Sequence, residues 1–104
     1  MKLLILDTNE RLNIDKKTET YIELAEKVKE ECKELVIALH GTDMEHIVEE
    51  ALDVLQLSIG IIDRACSCKG LDLDKQINLH NMKLIGRGWD YKKVLEVNVK
   101  YECK

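Results

Sequence analysis

Apolar residues recur every three or four positions through the first half of the chain: Ile22, Ala25, Val28, Cys32, Leu35, Val36 and Leu39 form a single stripe. That spacing predicts an amphipathic helix from Asp15 or Thr18 to Leu39. His40-Gly41 supplies a stop, and Thr42-Asp43 an N-cap for a second helix over residues 43–65, with Glu45 and His46 in its first turn. This helix has a different pattern, because Ile47, Ala51, Leu52, Val54, Leu55, Leu57, Ile59, Ile61 and Ile62 cover most of its circumference. A helix that is apolar nearly all round must be covered on more than one side. Leu73, Ile77, His80 and Leu84 outline a third helix from Asp72 or Asp74 to about Ile85, broken by Gly86-Arg87-Gly88. Residues 2–6 read as a short strand or an extended lead-in. Leu95, Val97, Val99 and Tyr101 alternate with Glu96, Asn98, Lys100 and Glu102, the period of a half-exposed strand.

A chain of 104 residues has room for one core. With so few helices to enclose the second, a subunit interface is expected to supply the missing wall. The expected fold is therefore mainly α, a helical bundle completed by oligomerisation, with short N- and C-terminal strands. The expected domain is single and spans residues 1–104, with a helical core at about 15–87 and strand-like tails at 2–6 and 94–102. The absence of proline and the five glycines suit long helices and argue against a many-turned sandwich.

Sixteen basic against twenty acidic residues give a formal charge of −4, which disfavours a general nucleic-acid footprint. The first residues carry an apolar run but no cleavage pattern, so no signal peptide is expected. Residues 51–62 form the longest apolar stretch, interrupted by Asp53 and Gln56, and fall far short of the roughly 20 residues a membrane span needs. The expectation is a soluble, cytoplasmic protein whose four cysteines (Cys32, Cys66, Cys68 and Cys103) are buried or partly buried thiols. Cys66-Ser67-Cys68 is too closely spaced for a zinc knuckle.

Each of the first two helices carries an acidic pair at i and i+3: Glu31 with Glu34, and Glu50 with Asp53. At that spacing two side chains project side by side. Glu50 and Asp53 border a nearly all-apolar helix, where like charges are costly unless something positive lies between them. An acid-rich chain produces such pairs by chance, as Glu23 with Glu26 shows. Two of them beside apolar stripes on successive helices point instead to a hard divalent cation. Oxygen donors alone select Mg²⁺, Mn²⁺ or Ca²⁺ over zinc.

The order of these elements resembles a known family. Glu-x-x-Glu, fifteen intervening residues and Glu-x-x-Asp, within EECKEL (30–35) and EEALDVLQL (49–57), are similar to the motifs of the MazG-like, all-α nucleotide pyrophosphohydrolases. HNMKLIGRGW (80–89) resembles the Lys-x-x-x-Arg segment of many members. The resemblance covers roughly residues 18–90. It implies a helical dimer or tetramer that cleaves a nucleoside triphosphate, NTP or dNTP, to the monophosphate and pyrophosphate with Mg²⁺, or alternatively Mn²⁺, as cofactor. Carried over by position, Glu31, Glu34, Glu50 and Asp53 match the metal ligands, and Lys83 and Arg87 the phosphate contacts. Asn81 and Trp89 are weaker candidates for base or sugar contact. The water-activating group is not assigned among the carboxylates.

His40, His46 and His80 are read as ordinary residues, the first two at helix ends and the third at a core edge. Lys27, one turn before Glu31, is within reach of a phosphate but reads first as a surface lysine. No Walker-type loop or nucleophile elbow is present. The alternative function is a non-catalytic helical dimer, a nucleotide-sensing or regulatory interaction module. A phosphoribosyl-ATP pyrophosphohydrolase is a further possibility within the enzyme class. Neither nucleic acid nor membrane is expected as a partner.

Overall fold

Asp15 decides where the first helix begins. Its side chain accepts from the Lys17 N–H at 2.9 Å, and its carbonyl accepts from both the N–H and the hydroxyl of Thr18 at 3.2 Å. These local bonds hold the backbone in a turn and compete with helix. In the computed structural model, which describes residues 2–96 and 98, the helix starts later than the apolar stripe predicts. Helix α1 is Tyr21–Leu39, and Thr20 is its N-cap, accepting from the Glu23 N–H at 3.1 Å. Upstream, strands β1 (Thr8–Asn9) and β2 (Ile14–Asp15) form an antiparallel hairpin pairing Thr8 with Asp15 and Asn9 with Ile14. The turn between them places Asn13 at φ 54, a left-handed conformation that asparagine tolerates better than most residues.

Helix α2 runs Met44–Lys69 and is capped by Asp43, which accepts from the His46 N–H at 3.2 Å. It extends past the expected end at Ala65 because nothing in Cys66-Ser67-Cys68-Lys69 breaks a helix. Gly70 ends it, at φ 65. The short connection after Leu39 returns α2 alongside α1, and these two helices make the main tertiary contact. Helix α3 is Leu73–Gly86, capped by Asp72, whose carboxylate accepts from the N–H groups of Asp74 and Lys75. The chain divides into two compact units between Leu71 and Asp72. The first holds the hairpin, α1 and α2; the second holds α3 and the following segment.

The fold is mainly helical, as the periodicity predicts. Among the described residues neither expected terminal strand is formed. Residues 2–6 have no regular structure and pair with no strand; the Leu4 carbonyl accepts from the side-chain amide of Gln56 on α2. Residues 94–96 and 98 are not in a strand, and the rest of the expected C-terminal strand lies outside the described residues. Only Leu24 and Ala38, both on α1, are buried hydrophobic residues among those described. No described residue of α2 is buried, and Val48, Leu52, Leu55 and Ile62 are exposed on it. Among the described thiols Cys66 is partly covered, as expected, while Cys32 and Cys68 are exposed; Cys103 lies outside the described residues. His80 is exposed rather than at a core edge. No helix among the described residues is long and apolar enough to cross a membrane.

Candidate functional site

Because α1 and α2 pack against one another, Glu31, the first member of its acidic pair, is brought to both members of the other. One carboxylate oxygen from each of Glu31, Glu50 and Asp53 lies within 4.8 Å of the others. Glu31 and Glu50 are half-buried, and Asp53 is exposed. Three acids so close, with no lysine or arginine among them, form a strongly negative, oxygen-only donor set. Glu34, the fourth residue of the sequence motif, is exposed and falls outside this mutual 4.8 Å grouping. Its charge still acts on Glu31 and Glu50.

Burial pushes the Glu31 carboxyl above its ordinary value, and the charges of Glu34, Asp53 and Glu50 push it further. Glu50 is raised in the same way, by desolvation first and then by Glu34 and Asp53. His46, one turn before Glu50, acts against this shift, with its Nδ1 3.9 Å from Glu50 Oε1. The reading of His46 as an ordinary helix-end residue therefore missed its place beside the cluster. The i, i+4 spacing of His46 and Glu50 is the signal that would have found it.

Two atoms test whether the cluster fits a cation. Glu31 Oε2 and Glu50 Oε2 are buried and have no hydrogen-bond partner. A buried, unpartnered carboxylate oxygen is costly in a folded protein unless something positive completes it. The donor set is all oxygen and anionic, which suits a hard divalent ion.

A second charged group adjoins α1, and sequence reading did not find it. Glu19, just before the helix, is the one buried charged residue among those described, at 5% exposure. Its carboxylate accepts from Lys16 Nζ at 3.1 Å and from Lys27 Nζ. Its backbone carbonyl accepts from the Arg64 guanidinium on α2, which stacks 4.6 Å from the centre of the Tyr21 ring. Burial opposes ionisation of Glu19, but hydrogen bonds from Lys27 and Lys16 outweigh it and hold its pKa below the ordinary value. Lys27 is raised, mainly by its bond to Glu19. The lysine is thus committed to a partner rather than free on the surface.

The expected phosphate contacts lie in the second unit. Lys83 is in the last turn of α3 and Arg87 is its C-cap, the Arg87 N–H bonding the carbonyls of Lys83 and Leu84 at 3.1 Å. Both side chains are exposed, as are Asn81 on α3 and Trp89 just beyond it. Gly88, at φ 90, turns the chain so that the Trp89 N–H reaches the Leu84 carbonyl at 3.2 Å.

No curated protein and no solved structure matches the chain. A family model does: the MazG nucleotide pyrophosphohydrolase domain matches residues 19–90, from the buried glutamate before α1 to just past Trp89. The match takes in both acidic pairs and the Lys83 to Arg87 segment in their expected order, and it covers well over half of the sequence. On that extent, and with a helical fold that presents the acidic pairs to one another, the chain belongs to the MazG nucleotide pyrophosphohydrolase domain family.

Proposed function

We propose that this protein is a divalent-cation-dependent nucleoside triphosphate pyrophosphohydrolase, which adds water across the α–β phosphoanhydride of an NTP or dNTP to give the monophosphate and pyrophosphate. The observation that carries the reading is the pair of buried, unpartnered oxygens on Glu31 and Glu50, on two helices whose carboxylates come together with that of Asp53 within 4.8 Å. Glu31, Glu50 and Asp53 would hold the ion, with Glu34 completing the acidic wall. Mg²⁺ fits this oxygen set and commonly takes substrate phosphates as its remaining ligands, and Mn²⁺ is the natural second choice. When bound, the ion would supply neutralisation of the phosphate charge and acidification of the attacking water.

The side chains divide the remaining work. A carboxylate of this group that is not used as a ligand would accept the proton of the attacking water. The new bond joins the water oxygen to phosphorus, and the anhydride oxygen leaves with its electron pair. Lys83 and Arg87, four residues apart at the end of α3, are assigned to the phosphate tail, where a guanidinium gives a charge-assisted, two-point grip. Asn81 and Trp89 are assigned to base or sugar. The working unit is taken to be a homodimer or tetramer, because α2 carries apolar side chains that its own subunit leaves open.

The test is pyrophosphate release from a panel of NTPs, dNTPs, modified nucleotides and phosphoribosyl-ATP with Mg²⁺ or Mn²⁺. Pyrophosphate and monophosphate in equal amounts are expected from at least one substrate. Arg87→Ala should lower kcat/KM about tenfold or more, the size of a lost charge-assisted contact, with cation affinity unchanged. Nucleotide binding without turnover would assign the protein to a sensing role instead.

A further inference from the structure

Lys27 stands four residues before Glu31 on α1, a spacing at which lysine and glutamate commonly pair along a helix. The pair is not made. Lys27 Nζ bonds Glu19, and Glu31 Oε2 is left with no partner. Glu19 is unusually placed for an acid, being buried, bonded by two lysines through its carboxylate and by Arg64 through its carbonyl. A cation one turn from a metal ligand would compete with the metal. A buried carboxylate that engages that cation removes the competition.

We propose that Glu19 is a positioning residue for the cation site: it holds Lys27 away from Glu31 and so keeps the carboxylates of α1 and α2 open to a divalent ion. The inference rests on the reading of Glu31, Glu50 and Asp53 as a cation site. Glu19 touches neither the ion nor the substrate and acts only through Lys27. Lys16, its second partner, balances the buried charge. Arg64 fixes the backbone of residue 19, so that the carboxylate is presented at the start of the helix rather than to solvent.

The experiment is Mn²⁺ binding to the full chain without nucleotide, followed by the paramagnetic signal of the free ion, which reports affinity and not activity. Glu19→Gln frees Lys27 to pair with Glu31, and binding should weaken about tenfold, the worth of one charge-assisted contact. Adding Lys27→Met to Glu19→Gln should restore wild-type affinity. Adding Lys16→Met instead restores the same net charge but leaves Lys27 free, and binding should stay weak. Wild-type affinity in Glu19→Gln would overturn the proposal. So would equal weakness in all three variants, which would make Glu19 only a folding residue, or equal rescue by Lys16→Met, which would make the effect one of net charge. If circular dichroism shows Glu19→Gln unfolded, Lys27→Met alone decides: affinity within about twofold of wild type supports the sequestered lysine, since only a distant screened charge is lost, and marked tightening contradicts it. A wild type that does not bind Mn²⁺ would overturn the cation site itself, and the positioning role with it.

Discussion

Glu31, Glu50 and Glu19 are carboxylates pulled in opposite directions by their surroundings. Glu31 and Glu50 are raised, first by burial and then by neighbouring acids; Glu19 is lowered, because two lysines outweigh its burial. For Glu31 and Glu50 the folded state binds protons more tightly than the unfolded chain. Their contribution to stability is therefore full below the ordinary value of 4.5 and is lost as pH rises through the raised values. Glu19 contributes above 4.5 and loses that contribution as pH falls through its lowered value. The metal-free protein should accordingly melt higher at about pH 5 than at about pH 8. Saturating Mg²⁺ should reduce or reverse the difference, because the ion takes the ionised carboxylates. A melting temperature equal at both values without metal would contradict the strained acids. The acidic pairs were legible in the sequence because helix geometry alone sets neighbours at i and i+3. The Glu19–Lys27 pair was not, because it depends on the turn at Asp15 delaying the helix and folding residue 19 back over it.

Helix ends were legible where one residue type has one physical use. Asp43 and Asp72 cap as expected, since an aspartate side chain satisfies free N–H groups at a helix start. The end of α2 was read too early, at Ala65: it falls at Gly70, which holds φ 65, and the N–H groups of Gly70 and Leu71 both return to the Cys66 carbonyl. Nothing lies within 4 Å of where a Cβ would be, so the cost of a side chain there is conformational and not steric. Gly70→Ala should lower stability by roughly 1 kcal/mol, or about 4–8 °C in Tm, without changing Mn²⁺ affinity. An unchanged Tm would mean that α2 ends in another way. The start of α1 was less legible, because the apolar stripe says nothing about the side-chain bonds of Asp15 that hold residues 15–18 in a turn. The N-terminal strand failed for a further reason: alternation or apolarity makes a strand only when a partner edge is present, and the Leu4 carbonyl found Gln56 instead.

For the molecule as a whole, the disagreement between the pattern of α2 and its exposure is informative. The sequence predicts a helix covered on several sides, yet Leu52, Leu55 and Ile62 remain 47%, 41% and 44% exposed. An apolar face left exposed in this way is what the proposed assembly would cover. Packing α2 against a symmetry copy would cover it in the isologous manner of a two-fold dimer. Sedimentation at micromolar concentration should therefore give at least twice the mass of the chain, and Leu55→Glu should shift it toward monomer. A folded wild-type monomer would contradict the assembly. The central claim, that the convergent acids form a cation site, is tested most directly by thermal melting at matched ionic strength, with and without Mg²⁺. An ion that binds only the folded state at about 100 times its Kd adds roughly 2.7 kcal/mol, about ten degrees or more in Tm for a domain of this size. Wild type should show that rise. Glu50→Gln and Asp53→Asn should lose it while melting at the same or a higher temperature without metal. A wild type whose Tm does not respond to Mg²⁺ or Mn²⁺ beyond the effect of salt would contradict the account.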